Sequence, residues 1–255
     1  MASDPGRLAK IFDPPGDTRR RVSPTTQFPH SCIGQLECTF GPNRTYLGTG
    51  ILIDERHVVT CAHNLYDNVD RTLVKAVRFA CALDADRYPY GQWIGASGVS
   101  VPQEYRLANP PNPNDPNFDS TEITPYLYDY GLVRLAKAVN NGVNGYPFLY
   151  AASDGDFAAV SNRNAISGYP GDKESGTMWS ASGPVICTED GEFLFHKIAT
   201  SNGQSGASII SPFPGTPASM ASIGGIHVAG SVLLGTNWAV RVTPDVVNWF
   251  EGQLR

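Results

Sequence analysis

The chain contains no apolar run approaching the roughly 20 residues that cross a bilayer as a helix. Its first residues, Met1-Ala2-Ser3-Asp4-Pro5-Gly6-Arg7, lack the apolar core of a signal peptide. The expectation is a chain that is intracellular, or one whose export signal is unconventional or lies outside this stretch. Cysteine is sparse, and five residues leave at least one without an internal partner. Cys32 and Cys38 fall on one expected strand, where extended backbone separates them by roughly 20 Å, too far for a bridge. The cysteines do not form a disulfide framework, and no Cys-x-x-Cys or His-Glu-x-x-His spacing offers a zinc site. Positive charge is not in excess. A net charge of −5 argues against a dedicated nucleic-acid binder. There is no repeat of solenoid period.

What is present points to a folded β protein. The 255 residues suit one large domain or two small lobes, and 41% hydrophobic content is enough to build a core. Gly 26 and Pro 20 favour many turns and short strands over long helices. Turn-bounded segments rich in β-branched residues predict strands at 32–40, 45–53, 57–60, 74–81, 92–101 and 128–135, then at 165–169, 178–187, 193–199, 207–210, 223–228 and 237–242. A final helix is capped by Thr243, opens on Pro244 and carries an apolar stripe of Val246, Val247, Phe250 and Leu254. The expected organisation is an arm or pro-segment at 1–21, a first lobe at 22–137, a linker at 138–163 and a second lobe with the helix at 164–255. Loops at 106–124 and 211–222 are long. Arg19-Arg20-Arg21 reads either as a solvated basic patch or as a processing site that frees Val22.

Three residues stand where a scaffold displays reactive groups. Ser205 lies in Gly203-Gln204-Ser205-Gly206, whose glycines allow a tight turn with bare N–H groups. Such a serine can be a nucleophile, with the amides of Gly203 and Ser205 as an oxyanion hole. Alone, this motif is weak. His63 follows an apolar strand in Thr60-Cys61-Ala62-His63. Asp129 stands at the entrance of the strand Gly131-Leu132-Val133-Arg134-Leu135, where an acid is out of place unless it caps a turn or orients a histidine. His57 reads as structural, and His30 and His196 carry no motif.

The order His63, Asp129, Ser205 is that of chymotrypsin-type proteases. The residues around each position resemble the glutamyl endopeptidase branch of the chymotrypsin-fold serine proteases. The resemblance rests on Val59-Thr60-Cys61-Ala62-His63, on Tyr128-Asp129-Tyr130-Gly131-Leu132-Val133 and on the serine loop. More specific are Ser167-Gly168-Tyr169-Pro170-Gly171-Asp172-Lys173 with Thr177-Met178-Trp179, and Gly225-Ile226-His227. The segment from Val22 through Phe28-Pro29-His30 looks, more loosely, like a mature start.

The resemblance implies an all-β fold of two six-stranded antiparallel barrels with a C-terminal helix. It implies a His63–Asp129–Ser205 triad in the cleft between them, and hydrolysis through an acyl-enzyme with no metal or cofactor. Expected partners are polypeptide substrates, not nucleic acid or a membrane. A monomer is expected, and the branch is usually secreted. The residue six before the nucleophile is Ala199, which supplies no acid to attract a basic side chain. Thr200 and His227 match the positions that hold a substrate carboxylate in this branch, and a freed Val22 amine would help neutralise it. The expected cleavage is therefore after Glu, and less after Asp. Asn64 stands where many relatives of this fold have a cysteine after the histidine, so their histidine-loop disulfide is not carried over. A non-catalytic binding homologue, a protease of other specificity and a serine esterase are the alternatives.

Overall fold

The computed structural model describes residues 16–68, 70–108, 126–140, 142, 146–216, 221–231 and 234–254. Residues 1–15 of the expected arm, most of the 106–124 loop and residues 217–220 of the second long loop lie outside them.

Short strands broken by turn residues can bury one face only by curling on themselves or on each other. The first half of the chain does this with β1 (Arg20–Arg21), β2 (Ile33–Gly41), β3 (Arg44–Leu52), β4 (His57–Thr60), β5 (Tyr66–Asp67), β6 (Thr72–Leu73), β7 (Ala76–Cys81), β8 (Ile94–Ser100) and β9 (Gly131–Leu135). Six of these close a barrel in the order β2-β3-β4-β9-β8-β7. Its interior is filled by fully buried Leu36, Leu52, Val58, Phe79, Val133 and Leu135. Register places the chemistry. Thr60, the last residue of β4, pairs with Gly131, the first of β9. The chain leaving β4 toward His63 and the chain entering β9 from Asp129 therefore meet at one rim of the barrel.

The second half contributes β10 (Phe148–Leu149), β11 (Asn164–Gly168), β12 (Trp179–Gly183), β13 (Val185–Cys187), β14 (Phe193–His196), β15 (Ser208–Ser211), β16 (Ser222–Ser231) and β17 (Thr236–Arg241). They form a sheet in the order β1-β12-β11-β15-β16-β17-β14-β13, with β10 added in parallel to β16. The all-β, two-lobed architecture is as expected. The first lobe closes its ladder of hydrogen bonds, whereas the second curls as an open sheet. One expected strand at 178–187 is two, interrupted at Pro184, which has no N–H to give a ladder.

Two segments differ from the sequence reading. Arg20 and Arg21 are a strand paired with Ser180 and Trp179, so part of the expected arm belongs to the second sheet. Within the expected linker, α2 (Asp154–Val160) follows a short α1 (Gln103–Leu107) in chain order. It is started by a capping box between Ser153 and Asp156. Seven residues are too few to show a clear apolar period, and the cap was the legible signal.

The terminal helix α3 (Pro244–Gln253) is capped as expected, with the Thr243 side chain accepting from the Val246 N–H. Its buried face differs in one position. Leu254 is exposed, and Trp249 instead packs against Tyr130, ring centroids 5.1 Å apart, beside Phe250 at 5.7 Å. Because Tyr130 adjoins Asp129, the helix buttresses the base of that loop. Phe250→Ala is expected to lower stability by about 3–5 kcal/mol in urea unfolding, and Leu254→Ala by about 0.5 kcal/mol or less.

Candidate active site

His63 lies on a single 3-10 turn, Ala62–Asn64, at the end of β4. Asp129 is wholly buried and grips it twice. One carboxylate oxygen accepts the His63 backbone N–H at 2.8 Å, and the other lies 2.6 Å from Nδ1. A carboxylate only accepts, so Nδ1 carries the ring proton and Nε2 is the basic nitrogen. Nε2 lies 3.4 Å from the buried Cys61 Sγ. Cys61, His63 and Asp129 place one potential ligand atom each within 4.8 Å of one another. Asp129 is already committed to the histidine it orients, so the trio reads as an oriented base, not a ligand set.

Ser205 is brought to this corner by its backbone. Its carbonyl accepts from the Thr49 N–H at 2.9 Å and from Asn64 Nδ2 at 3.0 Å. Asn64 therefore does what a following cysteine could not, tying the histidine turn to the serine loop. Thr49 Oγ1 donates to the Gly203 carbonyl at 2.8 Å and accepts the Tyr169 N–H at 3.1 Å. The two glycines of the loop are obligatory. Gly203 has φ +94°, and a Cβ there would lie 2.4 Å from the Tyr169 carbonyl oxygen. Gly206 has φ +85°, and a Cβ there would meet Thr60 Oγ1 at 2.0 Å.

The loop's amides divide into two sets. Gln204 donates to the Ser201 carbonyl, Gly206 to that of His227 and Ala207 to that of Gln204. The alternate amides, of Gly203 and Ser205, have no hydrogen-bonded acceptor among the described residues. Gln204 is buried and its Oε1 accepts the Ser201 N–H, which stiffens the turn from inside. The sequence reading overlooked this residue, and nothing in its type marks it.

The expected specificity residues are all buried. Ala199, Thr200 and His227 are no more than 1% exposed. Thr200 Oγ1 and His227 Nε2 are buried with no protein hydrogen-bond partner, which leaves both to water or to a bound group. His227 Nδ1 lies 3.3 Å from Nε2 of His196, a residue that carried no motif in the sequence. The pairing arises because β14 and β16 flank β17 and both imidazoles turn inward. Burial pushes the His196 imidazole down to about 3. Burial, then the neighbouring His196 and His63, hold His227 well below the usual histidine range, with the Trp238 backbone only partly opposing. Which imidazole donates in this contact depends on the tautomers; donation from His196 Nε2 would leave the His227 proton on Nε2. Val22 is buried at the edge of the second sheet, where its N–H donates to the Met178 carbonyl at 2.8 Å.

Residues 48–212 match the family of the trypsin-like peptidase domain. The chain is 27% identical to the glutamyl endopeptidase of Bacillus licheniformis over 239 residues, 91% of this chain and 67% of that protein. It is 31% identical over 236 residues to a Bacillus subtilis protein named extracellular metalloprotease, covering 91% and 66% of the two chains. A Staphylococcus aureus glutamyl endopeptidase is 24% identical over 204 residues, 76% of this chain and 48% of that one. The chain thus spans about two thirds of the length of the Bacillus relatives and about half of the staphylococcal one. Among solved structures, the fold superposes on a Glu endopeptidase in complex with MPD with a TM-score of 0.74 at 22% identity, covering 94% of this chain and 97% of that one. It superposes on the protease Anisep from Arthrobacter nicotinovorans with a TM-score of 0.63 at 16% identity, covering 91% and 96%. The matched domain, the two-lobed β fold and the histidine, aspartate and serine loops that meet between its lobes lead to one conclusion: the chain belongs to the trypsin-like peptidase family, as a serine protease of the chymotrypsin fold.

Proposed function

We propose that this chain is a secreted endopeptidase that cuts polypeptides after glutamate, and less readily after aspartate, with Ser205 as nucleophile. His63 Nε2 takes the Ser205 proton as Oγ attacks the scissile carbonyl, and returns it to the leaving amine. Asp129, bonded to Nδ1, holds the ring in the tautomer this needs and stabilises the imidazolium that forms. The Gly203 and Ser205 amides face the developing oxyanion, worth roughly 3–4 kcal/mol for each donor. Water then enters, activated by His63, and releases the acyl group.

The observation that carries the glutamate reading is the pair of buried polar atoms without a partner, Thr200 Oγ1 and His227 Nε2. Each can donate one hydrogen bond to a carboxylate, and a site left with unpaired donors rejects a side chain that offers no acceptor. Ala199 leaves the pocket without an acidic group of its own at the expected floor position. Secretion has support in the extracellular name of the Bacillus subtilis relative.

Ser205→Ala is expected to abolish both peptide hydrolysis and labelling by a fluorophosphonate; surviving activity would show a different nucleophile. On a peptide library, cleavage is expected after Glu, and a preference for Phe or Leu would overturn the specificity. Thr200→Val and His227→Phe should each lower kcat/KM on glutamate substrates roughly 10- to 150-fold.

The same buried histidines set a pH dependence. Unfolded, each binds a proton near pH 6.5. Folded, His196 does so only near 3 and His227 also well below the usual range. Below about pH 6.5 the unfolded chain therefore holds more protons, and stability falls as pH falls toward the folded values. Each group contributes a slope of about 1.4 kcal/mol per pH unit in that window. Urea titrations at pH 6.5, 5.5 and 4.5 should show His196→Gln with a slope shallower than the parent by about that amount. Parallel slopes would mean that His196 is protonated in the fold.

A further inference from the structure

The basic segment before Val22 is built into the second sheet. Arg19 has a side chain only 1% exposed. Its guanidinium forms two hydrogen bonds to Asp172, Nη1 to Oδ1 at 2.9 Å and Nη2 to Oδ2 at 2.6 Å. It forms two more to Asp17, from Nε at 2.9 Å and Nη2 at 3.1 Å. Lys173 closes the group by pairing with Asp17. Arg21 spans the lobes, pairing with Asp84 of the first and Glu174 of the second. Burial alone would raise the Asp172 carboxyl, but the bonds from Arg19 bring it below the usual carboxylate range.

Asp172 sits in the turn that holds the serine loop. The adjacent Gly171 N–H donates to the Asn202 carbonyl at 2.6 Å. Tyr169, two residues further back, has its carbonyl against Gly203. The Asp172 carboxylate also interacts with the Ser201 side chain. A connected path runs from Arg19 through Asp172 and Gly171 to Asn202 and Gly203, where one oxyanion donor lies.

We propose that Arg19 is a positioning residue for the oxyanion loop, so that the segment 17–21 is a working part of the enzyme and cutting the chain between Arg21 and Val22 weakens catalysis. This rests on the peptidase reading above for its catalytic consequence. A planar, bidentate guanidinium between two carboxylates fixes both position and angle of the turn at 170–173, which a solvated basic patch does not do. Removing it frees the turn to drift, and the Gly203 amide with it. The loss should appear in the chemical step and not in substrate binding, because the oxyanion forms only on the way to the acyl-enzyme.

The test compares the full chain with Arg19→Met, Arg19→Lys and a chain that starts at Val22, using steady-state kinetics and hydrogen–deuterium exchange. Arg19→Met should lower kcat at least about tenfold with KM within about twofold. Exchange should quicken in peptides covering 169–173 and 201–206 while β16 and β17 keep their protection. Arg19→Lys, which keeps the charge without the fork, should fall between the two and serves if the methionine variant does not fold. The chain starting at Val22 should behave like Arg19→Met. Unchanged kcat in Arg19→Met, a lowered kcat with unchanged exchange at 201–206, or a Val22 chain more active than its parent would each overturn the proposal. If the parent is neither active nor labelled by a fluorophosphonate, the peptidase reading fails, and the exchange measurement still decides whether Arg19 holds the loop.

Discussion

Thr49 is the point on which the geometry of the cleft depends. It lies on β3 of the closed barrel, fully buried, and reaches three other parts of the chain. Its N–H holds the Ser205 carbonyl, its hydroxyl joins the Gly203 carbonyl to the Tyr169 amide, and its own carbonyl accepts from Thr60 Oγ1 beside the histidine corner. Each bond is worth only about 1 kcal/mol in net stability. Together they hold the loop of one lobe in register with the histidine of the other. On the proposed reading, proximity and orientation make His63, Asp129 and Ser205 a reactive set, and small displacements here would be costly to catalysis.

The rest of the molecule braces that junction from several sides. The barrel register brings the ends of β4 and β9 together, so that Asp129 can hold both the backbone and the ring of His63. The terminal helix packs on Tyr130, next to Asp129. Behind the serine loop, the Gly206 amide is fastened to the carbonyl of His227, which couples that loop to β16. The serine loop and β16 are therefore joined, and the buried His196–His227 contact ties β16 to β14 across β17.

Much of this was legible in the residues. Most strand positions could be read from β-branched runs between turn residues, because a short strand leaves its period and its punctuation in the sequence. The histidine corner, the aspartate and the serine loop are legible through their order along the chain and through the family that their flanking residues resemble, since the serine motif alone is weak. Asp129 at a strand entrance is the clearest local signal. His196 could not be read, because Phe193-Leu194-Phe195-His196 is an ordinary strand and its meaning depends on a neighbour 31 residues away. Arg19 could not be read either. Three consecutive arginines suggest solvent, and only the fold brings Asp17 and Asp172 around the first of them.

The chain's residues alone settled which groups are available for chemistry and that the lobes are built of short strands. Glycines at 203 and 206, a capped terminal helix and a serine followed by glycine are local facts, dictated by backbone sterics and hydrogen-bond chemistry. Which groups meet was decided by the tertiary structure. Strand register, the closure of one barrel and the curl of an open second sheet are set by burial over the whole molecule, and no local pattern encodes them. The same burial explains why two histidines stay neutral and why an arginine from the apparent arm ends beside the turn that holds the serine loop. Buried polar groups must find partners, and the partners they find here come from distant parts of the chain.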